Sequence, residues 1–270
     1  MISVYGSSGF IGSRFCEMYP KDVIRMPRDK RSPESDELLY FISTTHNYNV
    51  YDNPQLDIDT NLTVLIETLQ ECRGRPVTFN FVSSWFVYGD TNLPAKEDAV
   101  CRPKGFYSIT KKAAEDLLVS YCQTFEISYR IFRIANVLGK GDQYSSQKNA
   151  LQYLANKLRN HESIELYHGG DFIRDYIHVD DVCRALNIAM KKAPFNDAMN
   201  VGGGKAVKFA DLISIIVDKV SSKSPIDPVE PPKFHQIVQV RDMYLDISKL
   251  RSLGFEAKVG VEEMITSILE

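Results

Sequence analysis

Ile2-Ser3-Val4-Tyr5-Gly6-Ser7-Ser8-Gly9-Phe10-Ile11-Gly12 decides the fold. A short β-favouring run enters a glycine turn, and the residues beyond it take up helical spacing. In such a strand–turn–helix, Gly6 permits the tight turn and Gly9 lets the backbone approach a pyrophosphate. Gly12 lets helix and strand pack closely. The anion then rests on free backbone N–H groups at the positive end of the helix. The spacing G-x-x-G-x-x-G differs from the G-x-G-x-x-G of many dinucleotide sites.

Outward from this loop, β-rich runs at Ile2–Tyr5, Val23–Met26, Leu38–Ser43, Thr78–Ser83 and Ser128–Ile134 alternate with helical patterns such as Asn61–Cys72 and Tyr107–Phe125. Strands separated by helices imply right-handed βαβ units, hence an α/β fold of the Rossmann type with a doubly wound parallel sheet. Only residues 27–37 separate the second strand from the next, too few for the usual helix and strand, so the sheet edge is expected to be truncated. The second half predicts a loop around Gly139–Tyr144, a helix near Ala150–Asn160, a polar strand at Ile164–Tyr167 and a helix from Val179 to Lys191. Ser221–Pro232 carries four prolines and reads as an extended connector. The expected plan is a dinucleotide-binding domain over 1–140, to which later segments return, and a smaller α/β substrate domain over 141–270.

A net charge of −3 leaves no general cationic surface for nucleic acid or an anionic membrane. The five cysteines Cys16, Cys72, Cys101, Cys122 and Cys183 are scattered without a C-x-x-C pair. Neither a disulfide framework nor a metal site is expected, and a reducing compartment fits better. No apolar run reaches the roughly 18 residues that span a bilayer. Met1-Ile2-Ser3-Val4-Tyr5 already reads as a strand, so no signal peptide is expected. These features predict a cytoplasmic protein without membrane insertion.

The second strand runs Val23-Ile24-Arg25-Met26-Pro27-Arg28-Asp29. NAD asks for an acidic residue here, to take its ribose hydroxyls. Arg25 and Arg28 instead suit a fork onto the extra 2′-phosphate of NADP. NADP is therefore the preferred cofactor, with NAD, through Asp29, the alternative.

The pattern Y-x-x-x-K occurs three times, at Tyr107/Lys111, Tyr144/Lys148 and Tyr153/Lys157. Residues four apart share a helix face, so each pair brings a phenol near an ammonium. Context separates them. Tyr107 opens a long helix and follows a serine-bearing strand end, Phe81-Val82-Ser83-Ser84-Trp85-Phe86-Val87-Tyr88-Gly89. Tyr144 lies in a glycine- and serine-rich loop and Tyr153 lacks a comparable serine, so both read as surface or packing residues. Reducing a ketone needs a hydride at carbon and a proton at oxygen. A tyrosine pKa of about 10 must fall by about three units to exchange near neutrality, roughly 4 kcal/mol of interaction that neighbouring positive charge supplies. Lys111 provides that charge, and Ser84 hydrogen-bonds and orients the substrate oxygen.

With the glycine loop, Ser84, Tyr107 and Lys111 resemble the extended short-chain dehydrogenase/reductases that act on nucleotide sugars, the epimerase/dehydratase family. Aligning on Val87-Tyr88-Gly89 selects Ser84 over Ser83. The resemblance assigns the dinucleotide to Gly6, Ser8, Gly9, Phe10, Ile11 and Gly12, with Lys111 on the nicotinamide ribose. It also matches Asn61 to the asparagine opening a sheet-packing helix. Arg133-Ile134-Ala135-Asn136-Val137-Leu138-Gly139 is similar to the family's R-x-x-N-V-x-G, which implies that Asn136 contacts the sugar nucleotide. Arg174-Asp175-Tyr176-Ile177-His178-Val179-Asp180-Asp181-Val182 resembles its R-D-[FY]-[IV]-[HY]-V-x-D, which puts Arg174 on the substrate diphosphate. Arg241, ahead of Asp246-Ile247-Ser248-Lys249, is a second candidate for that diphosphate. His178 is expected to be structural. The family resemblance further implies a nucleotide-diphosphate sugar as substrate and a homodimer through the helices at 61–72 and 107–125.

The reaction is narrowed by Trp85 and Phe86. Family dehydratases place an acid and a base directly after the catalytic hydroxyl, and these two side chains exchange no protons. Trp85 is instead expected against the sugar or nicotinamide, or in the core. Reduction of a nucleotide-linked 4-keto-6-deoxy sugar is favoured. A 4-epimerase with tightly bound NAD is the alternative, and a non-catalytic dinucleotide-sensing regulator the third reading.

Overall fold

A computed structural model of the chain describes residues 1–142 and 150–270. In chain order the first elements are β1 (Ile2–Tyr5), α1 (Phe10–Met18), β2 (Val23–Arg25) and β3 (Glu37–Tyr40), then α2 (Asn49–Asp52), α3 (Gln55–Ile58), α4 (Val64–Cys72), β4 (Thr78–Ser84), α5 (Phe106–Thr124) and β5 (Ser128–Ile134). There follow β6 (Asn136–Leu138), α6 (Ala150–Arg159), β7 (Ile164–Tyr167), β8 (Ile173–Arg174), β9 (Tyr176–His178), α7 (Val179–Lys192) and β10 (Asp197–Val201). The last are β11 (Val207–Lys208), α8 (Phe209–Val220), β12 (Ile226–Val229), α9 (Lys233–Val238), α10 (Ser248–Ser252) and α11 (Val261–Leu269).

Six strands form one parallel sheet in the order β10-β5-β4-β3-β1-β2. The period of two sorts their side chains. Val4, Leu39, Phe132 and Ile134 enter a core with Phe15 of α1 and Val182 of α7. Tyr5, Leu38, Tyr40, Phe79 and Phe81 enter the opposite core with Leu65 of α4 and Leu118 of α5. Burying one such side chain is worth about 1.5–3 kcal/mol, and a one-residue slip would turn each of them to the wrong face. Register is therefore firmly set.

The expected truncation is present: β2 is the edge strand, and residues 26–36 return directly to β3. Side chains fasten this short crossing. The Tyr5 hydroxyl donates to the Arg31 carbonyl at 2.6 Å, and Arg75 donates to Ser32 Oγ and the Pro33 carbonyl at 2.8 and 2.7 Å. The sixth strand comes from far along the chain, since β10 pairs with β5.

A third core, with Leu151, Leu158, Leu212, Ile216 and Ile265, packs α6, α8 and α11 around β7. Two expectations need correction. Ser221–Pro232 is more than a connector: Ile226–Val229 pairs in parallel with Ile164–Tyr167. Pro228 is accommodated because this two-stranded sheet is all edge. The third strand stops at Tyr40 rather than Ser43, because Ser43 and Thr44 take side-chain partners outside the ladder. No helix among the described residues is long and apolar enough to cross a membrane.

Candidate active site

Gly6 holds φ +74°, and its N–H···O=C bond with Gly9, Gly9 N to Gly6 O at 3.0 Å, closes the turn. A Cβ on Gly12 would stand 2.3 Å from the Gly6 carbonyl oxygen, so only glycine lets α1 start this close to β1. Gly9 is the N-cap, and no acidic residue occupies the first turn. The backbone N–H groups of Phe10, Ile11 and Gly12 thus open α1 as donors without an intrahelical partner or competing carboxylate. Ser8 is exposed, and Phe10 and Ile11 are half-buried. This cradle fits a pyrophosphate. Arg25 lies against it, its Nη1 donating to the Ser7 carbonyl at 2.9 Å, while Arg28 sits on the following exposed turn.

Ser84 ends β4, and its Oγ accepts from the Phe86 N–H at 3.3 Å. Tyr107 lies in the first turn of α5, where Asn47 Oδ1 accepts its backbone N–H at 3.0 Å. Burial pushes the Tyr107 phenol above its ordinary pKa, hydrogen bonds with Ser84 and Ser43 pull the other way, and the Asp57 charge adds to the rise. One helical turn later, the buried Lys111 donates to the Val82 carbonyl at 2.8 Å and lies 4.2 Å from the Phe81 ring centroid. Burial lowers its pKa to about 7, against an opposing pull from Glu115. Glu115 is engaged elsewhere, by Arg133 Nε and Nη2 at 3.1 and 2.8 Å. The three side chains chosen from sequence therefore meet at the end of β4. Tyr153 is on α6 with Lys157 6.0 Å from its ring, and Tyr144 and Lys148 lie outside the described residues.

Across from Ser84, Trp85 is buried and stacked on Phe86 at 3.9 Å, and Phe86 meets Tyr107 edge-on at 6.0 Å. The Arg174 guanidinium lies 5.4 Å from the Trp85 ring and 4.9 Å from Phe172. It donates to the carbonyls of Ile173, Val240 and Arg241, and among the described residues no carboxylate pairs with it. Asp175 beneath it accepts N–H bonds from Gly203, Gly204 and Leu245, and burial raises its pKa to about 6. Asn136 Nδ2 donates to the Asp175 carbonyl at 3.0 Å, so this side chain is anchored to the Arg174 segment. The Arg241 side chain is exposed and paired with Asp171 at 3.2 Å, while its backbone carbonyl accepts from Arg174. His178 is structural: its Nδ1 accepts the Asp180 N–H and caps α7.

The model of the NAD dependent epimerase/dehydratase family matches residues 34–202. The chain belongs to this family. Among its relatives is a putative UDP-glucose 4-epimerase of Methanocaldococcus jannaschii, 26% identical over 100% of this chain and 97% of the relative. A GDP-6-deoxy-D-mannose reductase of Pseudomonas aeruginosa is 24% identical over 98% of this chain and 95% of its own. The UDP-glucuronic acid 4-epimerase of Bacillus cereus, solved with UDP-glucuronic acid and NAD, superposes with a TM-score of 0.90 at 19% identity. That match covers 99% of this chain and 97% of the other. Both reductases and epimerases stand among the relatives of this epimerase/dehydratase member.

Sequence reasoning singled out Asn61 but missed the polar cluster it organises with Ser43, Thr44 and Thr110. Asn61 Oδ1 accepts from Ser43 Oγ at 3.1 Å and from the Thr44 N–H at 2.9 Å, and its Nδ2 donates to Thr110 Oγ1 at 2.9 Å. It sits in a π-helical turn, Asp59–Thr63, ahead of α4; such turns recur at functional sites. The fully buried Asp57 accepts from the Thr44 hydroxyl and from Asn49 Nδ2. One signal was available: Ser43 and Thr44 are polar residues just past the carboxyl end of a parallel strand, where ligands bind in open α/β sheets.

Lys111 yields a pH prediction. Its folded pKa, about 7, lies below the ordinary 10.5. Between these values the unfolded chain binds the extra proton, so stability rises with pH; below 7 both states are charged and the desolvation cost is fully felt. Denaturant titration of the cofactor-free protein should record this rise from pH 7 to 10. In Lys111→Met the rise should be smaller and the protein more stable at pH 7. An unchanged slope would place the ammonium in water.

Proposed function

We propose that the protein is an NADPH-dependent reductase acting at C4 of a nucleotide-linked 4-keto-6-deoxy sugar. The bound dinucleotide supplies the hydride. Tyr107 gives its proton to the C4 oxygen, Ser84 hydrogen-bonds the same oxygen, and Lys111 stabilises the resulting phenolate while holding the nicotinamide ribose. Arg174, stacked on Trp85 and without a carboxylate partner among the described residues, takes the substrate diphosphate with the fork geometry that suits phosphate oxygens. Asn136 orients the sugar nucleotide from the same segment, within a substrate lobe built largely from residues 141–270. Exposed Ile66, Ile109 and Leu117 on α4 and α5 support a homodimer through those helices.

The observation that carries reduction over epimerisation is the sheet edge. With β2 as the last strand of the sheet, no further strand flanks Arg25 and the turn carrying Arg28 among the described residues, which would leave the adenosine end of the cofactor open on that side. A reductase exchanges spent cofactor at every turnover and gains from such openness, and the arginines suit the phosphate of NADPH. NADPH should therefore bind more tightly than NADH, and Arg25→Ala with Arg28→Ala should erase the difference. Equal affinities in the unaltered protein would defeat the arginine argument.

A 4-epimerase is the second reading, favoured by the name of the Methanocaldococcus relative. It returns the hydride to the same sugar and gains from never releasing the dinucleotide. Denaturing the purified protein and assaying the released cofactor tests the two: stoichiometric NAD favours the epimerase, substoichiometric or absent dinucleotide the reductase. A non-catalytic sensor is disfavoured by the assembled Ser84, Tyr107 and Lys111, and turnover of any nucleotide-linked keto sugar excludes it.

A further inference from the structure

Both main-chain polar groups of Tyr107 are tied to one segment, residues 44–49, which leads from β3 into α2. The N–H donates to Asn47 Oδ1 at 3.0 Å. The carbonyl accepts from the Thr110 hydroxyl at 2.9 Å, and Thr110 Oγ1 in turn accepts from Asn61 Nδ2 at 2.9 Å. Asn61 Nδ2 also donates to Thr44 Oγ1 at 2.9 Å, while its Oδ1 accepts the Thr44 N–H at 2.9 Å. A backbone N–H only donates, so the Asn61 amide has one orientation and each bond of the chain has a fixed direction.

These bonds converge on α3. The single hydroxyl proton of Thr44 goes to Asp57 Oδ1, which leaves the hydroxyl lone pairs to Asn61. Asn49 Nδ2 donates to the same carboxylate oxygen at 3.2 Å. Asp57 is fully buried, and among the described residues its Oδ2 has no hydrogen-bond partner. An unpaired buried oxygen costs stability, so packing alone is better served by an apolar side chain. We propose that Asp57 is a positioning residue for the reaction: it pins residues 44–49 at both ends and, through Asn47, Asn61 and Thr110, holds the turn of α5 that carries Tyr107. The fit is close. A Cβ on Gly105, the N-cap of α5, would stand 2.1 Å from Asn47 Oδ1, so the helix starts flush against that amide. The proposal rests on the reading of Tyr107 as proton donor, and it holds for reduction and epimerisation alike.

The test is steady-state kinetics of the full chain with NADPH and a nucleotide-linked 4-keto-6-deoxy sugar, or with UDP-glucose if the unaltered protein turns over only that. Asp57→Leu removes the acceptor. It should lower kcat about tenfold while KM and dinucleotide affinity change by less than about threefold. Asp57→Asn restores an oxygen to Thr44 and Asn49 and should recover most of the loss. If Asp57→Leu does not fold, Thr44→Val cuts the same chain and carries the comparison. Asp57→Leu combined with Thr110→Val, at opposite ends of the chain, should lose no more kcat than the worse single variant, whereas independent effects multiply. Unchanged kcat in Asp57→Leu or Thr44→Val, KM rising in step with the fall in kcat, or losses that multiply would overturn the proposal. An unaltered protein that turns over neither sugar would instead remove the reading of Tyr107 as proton donor, and this proposal with it.

Discussion

Tyr107→Phe is expected to bind dinucleotide as the unaltered protein does and to lose at least about a hundredfold in turnover, the usual contribution of a positioned general acid. The expectation comes from how the phenol is held. Its backbone N–H is fixed by Asn47, its hydroxyl has Ser84 and Ser43 as partners, and its ring meets Phe86 edge-on. Phenylalanine keeps the ring and its packing, so cofactor affinity and stability should hardly move while the proton is lost. Burial, with the Asp57 charge adding to it, raises the phenol's pKa in the ligand-free protein. On the proposed mechanism, positive charge from Lys111 and the bound cofactor would have to bring it back down. Tyr144→Phe and Tyr153→Phe are the controls. If either is as damaging while Tyr107→Phe is not, the catalytic tyrosine is wrongly chosen.

Arg174→Ala should weaken nucleoside diphosphate binding by about 1.5–3 kcal/mol, the typical worth of hydrogen bonds to a charged group. The guanidinium is already oriented by the Val240 and Arg241 carbonyls and by the faces of Trp85 and Phe172, so little entropy is spent on ordering it. Arg174→Lys should recover only part of the loss, because a point charge makes neither the forked contact nor the planar stack. Calorimetric affinity that is unchanged in Arg174→Ala would remove the residue from the site.

What the sequence made legible was local. Gly6 and Gly12 announce the turn because a positive φ at the first and close approach at the second leave no other residue type, and Ser84 and Tyr107 mark a strand end and a helix start. The truncated edge could be read because residues 27–37 are simply too few for another helix and strand. The rest depends on distant pairings. Asn61 joins Ser43, Thr44 and Thr110 only once α4 and α5 pack on the sheet, and Phe234 reaches Tyr48 and Tyr51 from the far end of the chain. Arg241 was read toward the diphosphate from its neighbours in sequence, whereas its pairing with Asp171 forms only when the fold brings the two exposed side chains together. The prolines of 221–232 suggested a connector because pairing with β7 leaves no local trace.

The central claim is tested most directly by isotope transfer. The protein is incubated with NADPH deuterated at the transferred position and a nucleotide-linked 4-keto-6-deoxy sugar, and the product is examined by NMR and mass spectrometry. The account predicts one deuterium at C4 of the sugar and one NADP released for each sugar reduced. Sugar converted at C4 with no deuterium incorporated, by protein that carries stoichiometric NAD, would contradict it and establish a 4-epimerase.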